Sequence, residues 1–409
     1  MKKNIFDLST EQLKEIAQTL QKRIEVGLEK KGEEILAIPT YINPRKDIKN
    51  EKVLVLDLGG TNYRVAVVEF KDGVPTIHPE NGYKIKLSPK AMRDKDTLFK
   101  EITDPIAQLD LTGVEKVGYC FSFPADSTLD GDAILVRWTK GFDIPEMIGK
   151  PIGATLRDHL NKELAGKVNI KKINVINDTV ASLFSGLTDT KAQAWIGLIV
   201  GTGTNMAAFF DAKNIKKIDK GYKQGGSIAV NLESGNFKPP YLSVVDEKID
   251  RYSETRGAQR FEKAISGLYL GRILEYVFSC DEFEEGFDAS RITYMLSYPD
   301  MFKSEYVEMA QKVYDRSAKL VAASLAGLVQ QMVKFNPSIK SVRLMADGSL
   351  FWSKDYKTNC VTHCFTSYKD LVMQELHTLL KEMGMEGVKV NVDEQANINL
   401  VGSAIAGLS

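Results

Sequence analysis

The chain has little of what builds metal centres, disulfide scaffolds or charged docking surfaces. Four cysteines (Cys120, Cys280, Cys360, Cys364) and four histidines (His78, His159, His363, His377) are scattered through 409 residues. So few cysteines in so long a chain exclude a disulfide framework. Cys360, His363 and Cys364 stand together, but their spacing fits no common zinc pattern and no second Cys/His pair completes four ligands. They read as ordinary thiols, and the dispersed histidines support no histidine-centred mechanism. An excess of one charge is missing too. The 54 basic and 54 acidic side chains cancel, which excludes the electrostatic footprint of a nucleic-acid or anionic-membrane partner. Short basic runs such as Lys171-Lys172 and Lys216-Lys217 read as solvated surface. No apolar run reaches the roughly 18 residues of a membrane span. The opening Met1-Lys2-Lys3-Asn4-Ile5-Phe6 lacks the apolar centre of a signal peptide, so the expected location is cytoplasmic.

What is present is material for large cores: 43% of residues are hydrophobic and 26% charged. At roughly 150 residues per domain, two or three domains are expected. Ser9-Thr10-Glu11-Gln12 is a capping-box pattern, and Leu13, Ile16, Leu20, Ile24 and Leu28 then recur at helical spacing until Lys30-Lys31-Gly32. Val53 to Leu58 is an apolar strand that ends at Gly59-Gly60-Thr61-Asn62, and Tyr63 to Phe70 is a second strand. No helix follows the glycines and no Gly-Lys-Ser/Thr is present, which excludes a P-loop and a dinucleotide fingerprint. The pattern then recurs: Trp195 to Val200, the turn Gly201-Thr202-Gly203-Thr204-Asn205, and Met206 to Phe210. Two strand–turn–strand units predict a duplicated architecture of two similar α/β domains facing each other. Small residues, backbone N–H groups and hydroxyls in both turns suit phosphate oxygens, although tight glycine turns also occur in any β protein. Further on, the pattern predicts a helix from Phe302 to Phe335, a strand Val342–Ala346 running into Asp347-Gly348-Ser349, and a strand Val388–Val392. No Pro- or Gly-rich linker is visible, so the domains are expected to exchange chain segments closely.

Several polar residues interrupt these apolar patterns. Asp57 ends a buried strand beside the first turn, either capping that turn or orienting Mg²⁺ on a nucleotide directly or through water. Asp178 follows Asn177 at a strand end, where Asp178 or Thr179 could be the helix N-cap. A carboxylate held there could instead accept a proton from an alcohol attacking a γ-phosphoryl group; spacing alone favours the N-cap. Asn177, Asn205, Glu233 and Glu262 would suit bidentate hydrogen bonds to vicinal hydroxyls if they converge, which points to a polyol or sugar. Thr139 and Lys140, after Trp138, add a hydroxyl and a cation.

Taken together, these segments closely resemble the hexokinase family, the eukaryotic-type hexose kinases of the actin/Hsp70/sugar-kinase superfamily. Leu56-Asp57-Leu58-Gly59-Gly60-Thr61-Asn62-Tyr63-Arg64-Val65 resembles its first phosphate motif. Phe121-Ser122-Phe123-Pro124 with Trp138-Thr139-Lys140-Gly141-Phe142 resembles its sugar signature. Asn177-Asp178-Thr179, Gly201-Thr202-Gly203-Thr204-Asn205, Asn231-Leu232-Glu233, Phe261-Glu262-Lys263 and Asp347-Gly348-Ser349 resemble its catalytic, second phosphate, glutamate and adenosine segments. The resemblance implies two actin-like (ribonuclease H-like) α/β domains around a deep cleft. It places an N-terminal helix and lead-in at 1–50, a small domain at 51–178 with about 398–409, and a large domain at 179–397. It further implies ATP-dependent phosphorylation of a hexose at the 6-hydroxyl, the first step of glycolysis, with glucose ahead of mannose or fructose and Asp178 as base. Lys140 would assist catalysis, and Ser122, Phe123, Thr139, Lys140, Asn177, Asn205, Glu233 and Glu262 would hold the sugar. Asp57, Gly59, Gly60, Thr61, Asn62 and Arg64, with Gly201, Thr202, Gly203 and Thr204, would hold the phosphates of ATP. Asp57 would reach Mg²⁺, through water, and Gly348 and Ser349 would take the adenosine side.

There are departures. The family's C-terminal Gly-Ser-Gly-Lys-Gly-like motif is here Gly402-Ser403-Ala404-Ile405-Ala406-Gly407, Arg291-Ile292-Thr293-Tyr294 stands near a usual Phe-Glu-Thr-Lys, and Ala125-Asp126-Ser127 follows Phe-Pro. These leave the sugar side intact and bear on the nucleotide side. A tandem second half and an apolar anchor are not expected, and the implied state is a monomer or homodimer. A hexose sensor on the same fold is the competing reading, while the sugar signature and both glutamate segments argue against an actin- or Hsp70-like ATPase.

Overall fold

The computed structural model describes residues 5–60, 62–189, 191–278, 283, 286–357 and 365–409. Thr61, the Cys360-His363-Cys364 group and Cys280 lie outside them.

Two mixed sheets of matching topology form the frame. The first runs Val74–Lys86, Asn62–Lys71, Glu51–Leu58, Lys116–Phe121, Lys172–Ile176. Glu51–Leu58 pairs antiparallel with Asn62–Lys71 and parallel with Lys116–Phe121. The second runs Ile38–Pro39, Ser227–Asn231, Thr204–Asp211, Ala194–Val200, Ser341–Asp347, Lys389–Val392. There Ala194–Val200 pairs antiparallel with Thr204–Asp211 and parallel with Ser341–Asp347. Each glycine turn thus joins the same two strands of its sheet, the relation that the repeated pattern predicts. The apolar central strands, Glu51–Leu58 and Ala194–Val200, are buried on both faces, as continuous Val/Ile/Leu runs require.

The helix Thr10–Glu29 begins with the expected capping box at Ser9 and Gln12. It packs along the long helix Ser304–Phe335, which starts two residues later than its apolar pattern suggests. The chain does exchange segments between the sheets. The helix Ile398–Leu408 follows the last strand of the second sheet yet packs on Lys116–Phe121 and Glu51–Leu58 of the first. One apolar cluster joins the halves: Val53 and Val55 from the first sheet, Trp195 and Ala207 from the second, Phe184 between them, and Leu400 and Ala404.

Lys217 departs from the expected solvated surface. It is half-buried, its ammonium donates to the Leu36 carbonyl, and burial pushes its pKa down to about 8. Lys216 is exposed and pairs with Glu29.

Candidate active site between the two glycine turns

Asp178 opens the helix Asp178–Ser185, but it is not the N-cap. Asn177 takes that role, in extended conformation, with its side-chain oxygen accepting the Thr179 N–H at 2.9 Å. Asp178 therefore sits one residue inside the helix, where its Oδ1 also accepts the Thr179 N–H at 2.8 Å. Burial pushes its carboxyl above the usual range, and the nearby Asp57 charge adds to that. Lys140, the Thr179 N–H and the Ser122 hydroxyl pull the other way.

Lys140 stands in left-handed backbone (φ 55°) before Gly141. Its ammonium donates to the carbonyls of Gly59 and Ser122, just past the ends of two interior strands, each at 2.8 Å. One cation so joins the first glycine turn to the Phe-Ser-Phe-Pro loop. Ser122 is buried at the end of Lys116–Phe121. Phe123 is expected to face the sugar, yet its ring packs against Phe121, Trp138 and Phe142, with centroids about 5 Å away. What this residue leaves for a ligand is backbone. Thr139 is half-buried beside that stack.

Across the cleft, Asn205 Nδ2 donates to Asn231 Oδ1, and Asn231 Nδ2 donates to Glu233 Oε1, both at 2.7 Å. Glu233 holds left-handed backbone (φ 55°) that turns its side chain out of the strand end. Burial pushes its pKa up, and the charges of Asp178 and Glu262 add to this, while Arg137 opposes it. Glu262 lies on the short helix Arg260–Ile265 and accepts the Thr204 N–H at 3.0 Å; burial raises it as well. Asp178, Glu233 and Glu262 thus come from separate segments, and Glu233 lies close enough to feel the charge of both others. Asn231 was named from the sequence only within the Asn231-Leu232-Glu233 segment, without a role of its own, and Arg137 was not singled out. An Asn at a strand end, and an Arg beside the Trp-Thr-Lys run, are the signals that could have found them.

Beside the first glycine turn, Asp57 and Arg64 face each other across neighbouring strands, and both Arg64 contacts (3.0 and 2.5 Å) fall on Asp57 Oδ2. Gly59 has open space where a side chain would project. In the second turn a Cβ at Gly203 would lie 2.5 Å from Glu262 Oε2, so any side chain there would have to displace that carboxylate. Thr204 is turned inward: its N–H meets Glu262 and its hydroxyl donates to the Ile199 carbonyl at 2.8 Å. Exposed Thr202 is the hydroxyl this turn presents. Gly348 abuts Gly201, since a Cβ on Gly201 would be 3.2 Å from Gly348 Cα, and exposed Ser349 follows. Asn62 is exposed beside the first turn.

The departing C-terminal segment Gly402-Ser403-Ala404 lies within the helix Ile398–Leu408. A Cβ at Gly402 would sit 1.7 Å from the Ala181 carbonyl oxygen, so this glycine serves close packing against the Asp178 helix. Asn399, in the first turn of Ile398–Leu408, reaches the Asp347-Gly348-Ser349 segment, donating to Asp347 at 3.5 Å.

Among the described residues, no group of three or more His, Cys, Asp or Glu side chains is arranged to hold a metal ion. Asp57 already carries Arg64, which fits a water-mediated contact to a cation held mainly by phosphates. None of the described helices is long and apolar enough to cross a membrane.

The matching sheets and the cleft between their turns define a two-domain sugar-kinase fold. Overlay on the solved hexokinase from Schistosoma mansoni complexed with glucose covers 99% of this chain and 97% of that one, with a TM-score of 0.78 and 25% identity. Two family models, both described as hexokinase, match residues 2–187 and 195–312. The chain belongs to the hexokinase family. It is 30% identical to mouse Hexokinase-1 over 345 residues (80% of this chain, 34% of the relative), and 35% identical to Schistosoma mansoni hexokinase over 289 residues (66% and 62%). The chain therefore spans about a third of the length of the mouse relative.

Proposed function

We propose that the protein transfers the γ-phosphoryl group of MgATP to the 6-hydroxyl of a hexose, glucose ahead of mannose or fructose. The observation that carries this reading is the position of Asp178. It is a carboxylate with a raised pKa, set between hydroxyl-binding groups (Ser122, Asn177, Asn205, Glu233, Glu262) and the first glycine turn, and linked to that turn by Lys140. Asp178 would accept the proton of the 6-hydroxyl as its oxygen attacks phosphorus. Glu233 and Glu262 would orient the ring through its other hydroxyls. Backbone N–H groups of the glycine turns, with Thr202, Asn62 and Arg64, would hold the phosphates, and Asp57 would orient Mg²⁺ through water. The ion supplies charge neutralisation on the transferring group. Gly348 and Ser349 would flank the adenosine. Supporting this are family membership, and the glucose in the solved Schistosoma structure.

We further assign residues 51–178 with about 398–409 to the small domain, 179–397 to the large one and 1–50 to a lead-in packed on the latter. A cytoplasmic monomer or homodimer is the corresponding form.

The test is ADP production from MgATP with glucose, mannose, fructose or no sugar, beside Asp178→Ala. Sugar-dependent turnover that falls on the order of 100- to 10,000-fold in the variant, with sugar binding retained, is the expected result. Wild-type protein that binds glucose but makes no ADP would instead be a hexose sensor.

A further inference from the structure

The helix that carries Glu262 into the cleft, Arg260–Ile265, has six residues, too few to fix its own orientation. Its placement comes from a buried ionic frame behind it. Lys263, the residue after Glu262, is 1% exposed. Its ammonium donates to Asp250 Oδ1 at 2.8 Å and to the carbonyls of Thr255 and Ala258 at 2.6 and 2.9 Å. Three protons meet three acceptors, so this lysine is saturated. Asp250, on the helix Val244–Arg251, is 6% exposed and also takes the Gly257 N–H on both oxygens, at 3.0 and 3.1 Å. Arg260, equally hidden, reaches Glu247 on that same helix. One turn earlier, Asp246 is held by both terminal nitrogens of Arg316 on the long helix, at 3.1 and 2.6 Å.

Asp246 and Asp250 share one helix, so that helix ties the long helix on one side to Lys263 on the other, and Lys263 adjoins Glu262 in the chain. Glu262 in turn accepts the Thr204 N–H of the second glycine turn. Buried charge is a poor way to gain stability, because desolvation offsets attraction, but it fixes geometry: the ammonium accepts few arrangements of its partners. We propose that Asp250 and Lys263 are positioning residues for hexose binding. They close the loop between the two helices from inside and thereby hold Glu262 at the distance a sugar hydroxyl requires. The inference rests on the hexose-kinase reading of the cleft.

The test compares Asp250→Asn, Lys263→Met, and the double variant Asp250→Leu/Lys263→Met in the full chain. Thermal unfolding, steady-state KM for the hexose and calorimetric glucose affinity would be measured for each. Lys263→Met takes the nearer cation from the buried Asp250 carboxylate, leaving Arg260 at 3.6 Å, and is expected to lower Tm; the double variant removes both charges of the pair and recovers most of that loss. The expected signature is a hexose KM and glucose Kd raised on the order of 10-fold or more in the double variant despite the recovered Tm, because a displacement near 1 Å has effects of this size. Asp250→Asn, which keeps the Gly257 acceptor, should show a smaller rise of the same kind. A merely structural pair would reduce the active fraction, and so kcat, with hexose KM unchanged. A double or Asp250→Asn variant that folds and keeps the wild-type hexose KM and Kd overturns the proposal. Wild-type protein that makes no ADP would sink the kinase reading instead, and glucose affinity would still decide the role of the pair.

Discussion

Glu262 Oε2 accepts the backbone N–H of Thr204 at 3.0 Å, which makes a carboxylate of the proposed sugar set also a support of the second glycine turn. A Cβ at Gly203 would fall 2.5 Å from that carboxylate and push it aside. The proposed hexose and phosphate sides are therefore joined by one hydrogen bond, as the first glycine turn and the Phe-Ser-Phe-Pro loop are joined by Lys140 between Gly59 and Ser122.

Substitution at this point separates the two duties. Glu262→Gln retains an acceptor for Thr204 and loses the charge, so hexose KM should rise roughly 10-fold or more while KM for MgATP stays near wild type, a charged hydrogen bond to a hydroxyl being worth about 1.5–3 kcal/mol. Glu262→Ala removes the support as well and should raise both constants. Equal ATP constants in the two variants would show that the turn does not need Glu262.

Asp178 sets a pH dependence with a definite sign. Its folded pKa lies above the ordinary value because burial disfavours the ionised form. The proposed base works only when deprotonated, so kcat/KM should fall as pH drops through that raised value. Stability runs the opposite way. Below the unfolded pKa of about 3.9 the carboxyl is protonated in both states and carries no penalty; the penalty grows as pH rises and is complete above the folded pKa. Asp178→Asn should therefore raise Tm at pH 7, and the gain should shrink toward pH 4. A Tm gain independent of pH would contradict this account.

Cys120 lies on the strand beside Asp57 and is fully buried, and its thiol is pushed well above the usual range, first by burial and then by the Asp57 and Asp178 charges. Thiolate is the reactive form. Peptide mapping after iodoacetamide treatment should find Cys120 unmodified in native protein and alkylated in denaturant. Rapid native labelling at this position would require an opening of the first sheet that this structure does not show.

Gly402→Ala should be among the most damaging single-methyl changes in the chain. The added carbon would fall 1.7 Å from the Ala181 carbonyl oxygen, and neither helix can move without shifting the other's contacts. Overpacking of this kind costs about 1–3 kcal/mol, and more where backbone is the obstacle. Urea unfolding reads the stability loss, and because Ala181 shares a helix with Asp178, kcat should fall as well. Gly32→Ala, where a Cβ meets nothing within 4 Å but φ is +77°, is the control for backbone strain alone.

Much of the architecture was legible in the chain. The two apolar strands with their glycine turns announced the duplication, and the two sheets have that shared order because each turn joins the same pair of strands. The capping box at Ser9 and the apolar face of the long helix were equally plain, since caps and helical period are local properties. The resemblance added roles that spacing could not assign. Where expectation missed, the cause differed with the residue. At the N-cap a neighbour won, Asn177 taking the role from Asp178, whereas Lys217 was drawn from the surface by a distant partner, the Leu36 carbonyl.

The sequence by itself determined the strands, the turns, the polar residues that interrupt apolar runs and the family they identify, because those signals lie within a few residues of one another. Tertiary structure alone decided how they meet. The rise of the Asp178, Glu233 and Glu262 pKa values, the Asn205–Asn231–Glu233 chain, the Asp57–Arg64 pair and the ionic frame behind Glu262 all depend on distances between segments and on the exclusion of water. Electrostatic strength and hydrogen-bond geometry follow from those two quantities, and neither is written in local order along the chain.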